Sequence, residues 1–260
     1  MDAIAPTERH LDQTQIDAYR RNGFTVIEDI VPADRLADLK AAVEAAVEAE
    51  SVRVPDGELS TYDKIFTQKV NIWSRHPDVK AHTLWERFGQ VAAELTGGPM
   101  RIWHDQALFK QPGFADNRTP WHHDAVYWPH RDHWRATTIW IALEDATEEN
   151  GCMSFLPGTH ALGPLDPVAL DDPADIFANA PHLRQVDPVA CPLKAGSCTF
   201  HDGLVWHCAG PNRSERPRKA YAIIYMPDGT IYTGANHVLT DTLDLTTGAP
   251  LAGDLFPRAG

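Results

Sequence analysis

The segment Thr119-Pro120-Trp121-His122-His123-Asp124 sets an imidazole and a carboxylate two positions apart. On a strand, side chains at i and i+2 share a face about 7 Å apart at the backbone, so His122 and Asp124 can close on one metal ion while His123 turns to the opposite face. Thirteen histidines make a His-x-Asp pair common by chance, so a second imidazole downstream carries the weight: His207, in Phe200-His201-Asp202-Gly203-Leu204-Val205-Trp206-His207. Two imidazoles and one carboxylate leave three positions open on an octahedral ion, the arrangement of non-haem Fe(II) oxygenases, although Mn(II) and Zn(II) accept the same donors. With Zn(II) and a bound water the same three residues would make a hydrolase. A non-catalytic barrel that binds a small molecule or metal is the third reading. His201-Asp202 repeats a histidine and an acid, but adjacent strand positions aim the two side chains apart.

The elements that must position these residues are mostly strands. Met100–Lys110 alternates and sends Gln106 and Lys110 to one face; 136–143 is β-branched, aromatic and uninterrupted, which predicts a central strand. Asn150-Gly151 predicts a tight turn into a strand over 152–156, and strand character returns over 193–207 and 219–226. Helices gather before them. Asp12 opens a short helix that Gly23 ends, a strand follows at 24–27, a long helix runs from 33 to about 50 with Leu36, Leu39, Val43, Ala46 and Val47 on one face, and another spans about 79–95. Residues 1–11 read as a disordered lead, 51–75 as a loop walling the site, and 161–190 as a long excursion, expected to be a lid. Tyr127, Trp128, His130, His133 and Trp134 directly follow the metal motif and read as a pocket rim, with Tyr127 and Trp128 facing substrate. Trp206, with Tyr62 and Phe66, is a further candidate for the pocket wall.

Composition narrows the partners. A net charge of −13, with no basic run, disfavours nucleic acid and anionic membranes. No apolar run reaches 18 residues, which predicts a cytoplasmic protein without a membrane anchor. Four cysteines without C-x-x-C spacing read as buried thiols. One domain over 1–260, monomeric or homodimeric and acting on a small molecule, is the expectation.

Trp121-His122-His123-Asp124, the segment Asn150-Gly151-Cys152-Met153-Ser154-Phe155-Leu156-Pro157-Gly158-Thr159-His160, and His207 with Arg218 eleven residues on together resemble the phytanoyl-CoA dioxygenase family. The resemblance runs from Asp17 to Pro257. It implies a double-stranded β-helix, a mainly β jelly-roll barrel of the cupin type with flanking helices. It also implies Fe(II) held by His122, Asp124 and His207, with O2 and 2-oxoglutarate as cosubstrates and release of succinate and CO2. By the same resemblance Arg218 pairs with the distal carboxylate of 2-oxoglutarate, a match between a planar fork and a carboxylate. Gln106 and Thr138 lie near the cosubstrate. Many relatives carry a serine two residues after the distal histidine where this chain has Ala209, so Ser214 or Thr138 is expected to replace it. Asp124 argues against halogenation, which usually needs a small residue there. The expected activity is oxidation of an unactivated C–H bond of a free small metabolite, such as a natural-product intermediate.

Overall fold

A computed structural model of the chain describes residues 10–51, 66–113, 118–130, 135–165 and 176–260. Its described strands are β1 Phe24–Ile27, β2 Phe66–Val70, β3 Met100–Lys110, β4 Thr119–His122, β5 Thr137–Ala142, β6 Met153–Phe155, β7 Val189–Cys191, β8 Cys198–Asp202, β9 His207–Ala209, β10 Arg218–Pro227 and β11 Arg258–Ala259. They form two antiparallel sheets. The larger has the order β1-β8-β5-β10-β3-β11 with β2 also on β3, and the smaller is β4-β9-β6-β7. The two sheets make the double-stranded β-helix expected from the sequence, and the central strands of the larger one divide their side chains between the barrel interior and a helical layer.

That division is visible in the register. Tyr221, Ile223, Ile139, Ile141 and Phe200 face outward into one apolar cluster with Leu39, Val43, Phe88 and Val91 of the helices. Their neighbours Ala220, Ala222 and Trp140 face inward and meet Phe155 of the smaller sheet and Val205 of the turn before β9. Each such large aliphatic side chain withdrawn from water contributes about 1.5–3 kcal/mol. The alternation breaks once, at an irregularity between Ile224 and Tyr225 that pairs His104 with Ile224 but Ile102 with Tyr225. The extra residue, Trp103, therefore joins a separate cluster with Tyr232, Leu251 and Phe256.

Helix α1, Gln13–Asn22, starts with a capping box between Asp12 and Gln15 and ends at Gly23, whose φ of 81° is the left-handed conformation its C-terminus needs. Helix α2, Ala33–Ala49, buries Leu39, Val43, Ala46 and Val47 as its periodicity predicts. The helix expected over 79–95 is two helices, α3 Pro77–Thr83 and α4 Glu86–Thr96. The break comes at Trp85, whose ψ of 116° is extended and whose ring packs edge-on to Phe88 and under Arg35. No Gly or Pro marks it.

Two further differences concern irregular segments. The stretch expected to be loop contains β2, whose five residues are all half-buried, so neither face gives an apolar pattern. Residues 52–65, with Tyr62, lie outside the described residues, as do 1–9, 131–134 (with His133 and Trp134) and 166–175. The described parts of the 161–190 excursion include a helix α5, Ile176–Asn179, and pack through Ile176, Leu183 and Leu165 on Leu156, Trp206 and Trp121. Among the described residues no helix is long and apolar enough to cross a membrane.

Candidate active site

His122 and His207 are cross-strand partners on β4 and β9, which explains how imidazoles 85 positions apart come together. Their ring centroids stand 4.2 Å apart. Each ring is oriented by its own strand: His122 Nδ1 lies 2.8 Å from the Pro120 carbonyl and His207 Nδ1 3.0 Å from the Val205 carbonyl. With Nδ1–H donated to a carbonyl, both present Nε2 as the free donor atom, the arrangement that fixes the tautomer of a metal-ligating histidine. Asp124 Oδ1 lies 3.4 Å from His122 Nε2 and 3.6 Å from His207 Nε2. One potential ligand atom from each of the three falls within 4.8 Å of the others.

Asp124 does not arrive there by strand alternation. β4 ends at His122, and Asp124 has helical φ and ψ of −73° and −42° at the start of a short 3₁₀ turn, Ala125–Tyr127. The turn is tied down by the Ala125 N–H, which donates to the Gly203 carbonyl at 2.9 Å. Burial alone would push the Asp124 carboxyl up, but the neighbouring imidazoles of His207, His122 and His201 hold it well below the usual carboxylate range. Burial and neighbouring His122 drive His207 well down, against the pull of Asp124. An ionised Asp124 beside a neutral His207 is the protonation state a metal requires.

His201 was dismissed on the sequence for its neighbour Asp202, yet it approaches a different acid. Its Nε2 lies 3.6 Å from Asp124 Oδ2, on the side away from the other two histidines' contacts with Oδ1. His123 points elsewhere, buried edge-on to Trp206 at 4.6 Å, and accepts a hydrogen bond from the Leu165 N–H.

The three residues line a cavity of about 350 Å³. Gln106, Thr138, Tyr127, Trp128 and Arg218 line it too, whereas Trp206 and Ser214 do not. Trp206 is buried behind the smaller sheet, and Ser214 is occupied locally with Asn212 Oδ1 and the Arg216 carbonyl. Thr138 is buried with a hydroxyl that has no partner, so of the two residues offered in place of the missing serine it is the one at the cavity. Gln106 accepts from Gln68 Nε2 at 3.1 Å, which brings β2 into the wall.

Arg218 is 2% exposed and lies 5.0 Å from the Trp140 ring, with its Nε unpartnered. Burial brings it down to about 10, and no acid among the described residues offsets this. A buried guanidinium with no carboxylate, opening into a cavity with a three-donor cluster, fits the distal carboxylate of 2-oxoglutarate; the donor set fits iron. Lys110, open on the sequence to a solvated reading, is fully buried instead, donating to the Ala209 and Gly210 carbonyls at 3.1 and 2.7 Å.

This fold and this site define the iron- and 2-oxoglutarate-dependent oxygenases. Residues 19–220 match the sequence profile of the phytanoyl-CoA dioxygenase family, and the chain belongs to that family of 2-oxoglutarate-dependent dioxygenases. A phytanoyl-CoA dioxygenase of Arabidopsis thaliana is 30% identical over 171 residues, 65% of this chain and 60% of that protein. The mouse phytanoyl-CoA dioxygenase domain-containing protein 1 is 33% identical over 137 residues, so the match spans only 46% of that relative's length. Among solved structures, the epimerase SnoN in complex with Fe3+, alpha ketoglutarate and nogalamycin RO is 30% identical with a TM-score of 0.80, covering 95% of this chain and 98% of that one. The alpha ketoglutarate dependent carbocyclase SnoK from nogalamycin biosynthesis is 28% identical with a TM-score of 0.82, covering 96% and 97%.

Proposed function

We propose that this chain is an Fe(II)- and 2-oxoglutarate-dependent oxygenase acting on a C–H bond of a small metabolite, with all 260 residues forming one catalytic unit. The observation that carries the reading is the buried Arg218, left without an acid among the described residues in the cavity that His122, Asp124 and His207 line. Iron and 2-oxoglutarate, when bound, supply the oxidising power, with succinate and CO2 as coproducts.

The protein's own residues have narrower tasks. His122, Asp124 and His207 hold the ion, and the carbonyls behind the imidazoles keep the rings turned toward it. Arg218 holds the distal carboxylate, with Trp140 beneath its guanidinium and the Thr138 hydroxyl available to the same ligand. Tyr127 and Trp128, leaving the metal segment, face the substrate and exclude water from the reacting bond. The two nogalamycin-pathway neighbours support a natural-product intermediate as substrate, and an epimerase and a carbocyclase among them leave ring formation and epimerisation beside hydroxylation.

The test is anaerobic addition of Fe(II) and 2-oxoglutarate, which should produce a weak visible charge-transfer band. Its absence, with metal bound, would favour the hydrolase reading. Succinate release that depends on added substrate then separates an enzyme from a binding barrel.

A further inference from the structure

The cavity is chemically divided along β3. Lys110 and its partner Arg218 stand at the C-terminal end of the strand, and His104, at mid-strand six residues or about 20 Å back, marks the other end of the stretch that lines the cavity. At that second end His104 meets His237, which comes from the irregular segment after β10; their ring centroids are 6.4 Å apart. Trp103 packs against both, at 5.8 and 5.3 Å. Both histidines line the cavity.

Their tautomers are fixed in opposite senses. His104 Nδ1 lies 3.3 Å from the Asp105 carbonyl, so it carries the proton and leaves Nε2 as an acceptor. His237 Nδ1 accepts the Leu239 N–H at 3.2 Å, so the proton sits on Nε2, a donor. Burial drives His104 down to about 3 and also lowers His237, so both rings are neutral at physiological pH. One acceptor and one donor side by side complement an alcohol, which donates one hydrogen bond and accepts another.

The remaining described walls offer no charge. Phe66, Val70, Tyr127, Trp128, Ile224 and Val238 line the same cavity, with Ile224 directly opposite His104. Among the described lining residues Asp124 and Arg218 are the charged ones apart from histidine, and the reading above commits both to metal and cosubstrate. A charged substrate group entering here would be desolvated with no counter-ion among the described residues.

Resting on that reading, we propose that the cavity selects an uncharged, largely apolar substrate bearing a hydroxyl group, held by His104 Nε2 as acceptor and His237 Nε2–H as donor. A carboxylate- or ammonium-bearing metabolite is rejected at the same place.

Three matched probes test this on the full chain with Fe(II) and 2-oxoglutarate under anaerobic conditions: 2-naphthylmethanol, 2-methylnaphthalene and 2-naphthoate, read by naphthyl fluorescence. The alcohol should bind at least about tenfold more tightly than either other probe. His237→Phe, at a half-buried position, should erase the preference over 2-methylnaphthalene while leaving the iron–cosubstrate band unchanged. His104→Leu should do the same; if it does not fold, His237→Phe decides alone. Equal affinity for 2-naphthoate, or a His237→Phe protein that keeps the tenfold preference, would overturn the proposal. Because probe fluorescence is independent of the charge-transfer band, failure of the band with probe discrimination intact would count against the oxygenase reading only.

Discussion

Lys110 and Arg218 stand directly opposite one another on antiparallel β3 and β10, and both are buried. Like charges in that position repel, and Arg218 contributes to holding Lys110 down at about 6, after burial itself. Held near 6, Lys110 is mostly uncharged at neutral pH, so the anion site rests on Arg218, the member that opens onto the cavity.

Arg218→Met should therefore weaken 2-oxoglutarate by at least about tenfold, or about 1.4 kcal/mol, with Fe(II) affinity changed by less than about twofold. Lys110→Met should cost less cosubstrate affinity, since its ammonium is turned to the Ala209 and Gly210 carbonyls. Calorimetric titration of each variant decides it; wild-type cosubstrate affinity in Arg218→Met removes the residue from the site.

His201 Nε2 lies 3.6 Å from Asp124 Oδ2, the oxygen that the other histidines leave. Partners of this kind, behind the metal ligands, commonly contribute 10- to 100-fold in metal affinity. His201→Leu should accordingly weaken Fe(II) binding by at least about tenfold with the far-UV circular dichroism unchanged. Undiminished metal affinity would make His201 a packing residue beside Phe155.

Asp105, on the outward face of β3, accepts the Trp73 N–H and a Tyr221 hydroxyl that also meets Thr83. Burial pushes its carboxyl up to about 7. The unfolded chain loses this proton near 3.8 and the folded chain near 7, so ionisation weakens the fold as pH rises through that window. Asp105→Asn mimics the protonated acid, because an amide N–H can donate to Tyr221. Its melting temperature relative to the parent should rise between pH 5 and pH 8. A difference flat with pH would mean that Asp105 is already ionised at pH 5.

The sequence was most legible where spacing has a physical meaning. His122, Asp124 and His207 could be singled out because donor type and separation are written in the chain, although the backbone that unites them, a strand end followed by a 3₁₀ turn, was not. Leu39, Val43 and Val47 announced α2 through their period. β2 stayed hidden because all five of its residues are half-buried. The segment after β10 has no period at all; Leu239, Leu243, Leu245, Leu251 and Phe256 hold it on Trp103, and with it comes His237, which no local pattern marks. The sequence left Lys110 undecided between a site neighbour and a solvated lysine because the carbonyls that hold it lie about 100 residues away.

Gly151 offers a last test of how the barrel supports the metal centre. Its φ is 88°, and a Cβ there would stand 2.4 Å from the Gly210 carbonyl oxygen and 3.3 Å from Lys110 Cδ. That same carbonyl accepts from Lys110 Nζ at 2.7 Å, just beyond β9, which carries His207. Gly151→Ala has to adopt a left-handed conformation, costing roughly 1–2 kcal/mol, and also push Gly210 off its lysine. The expected loss is at least about 2 kcal/mol, seen as a lower urea midpoint with an unchanged slope. Fe(II) affinity should fall with it, since the displaced residue lies three positions from His207. Gly210→Ala is the control: its Cβ would meet the Gly151 Cα at 3.9 Å, ordinary contact, and it should cost less than about 1 kcal/mol. If both variants lose the same stability, the tight approach of the two turns is not what fixes the end of β9.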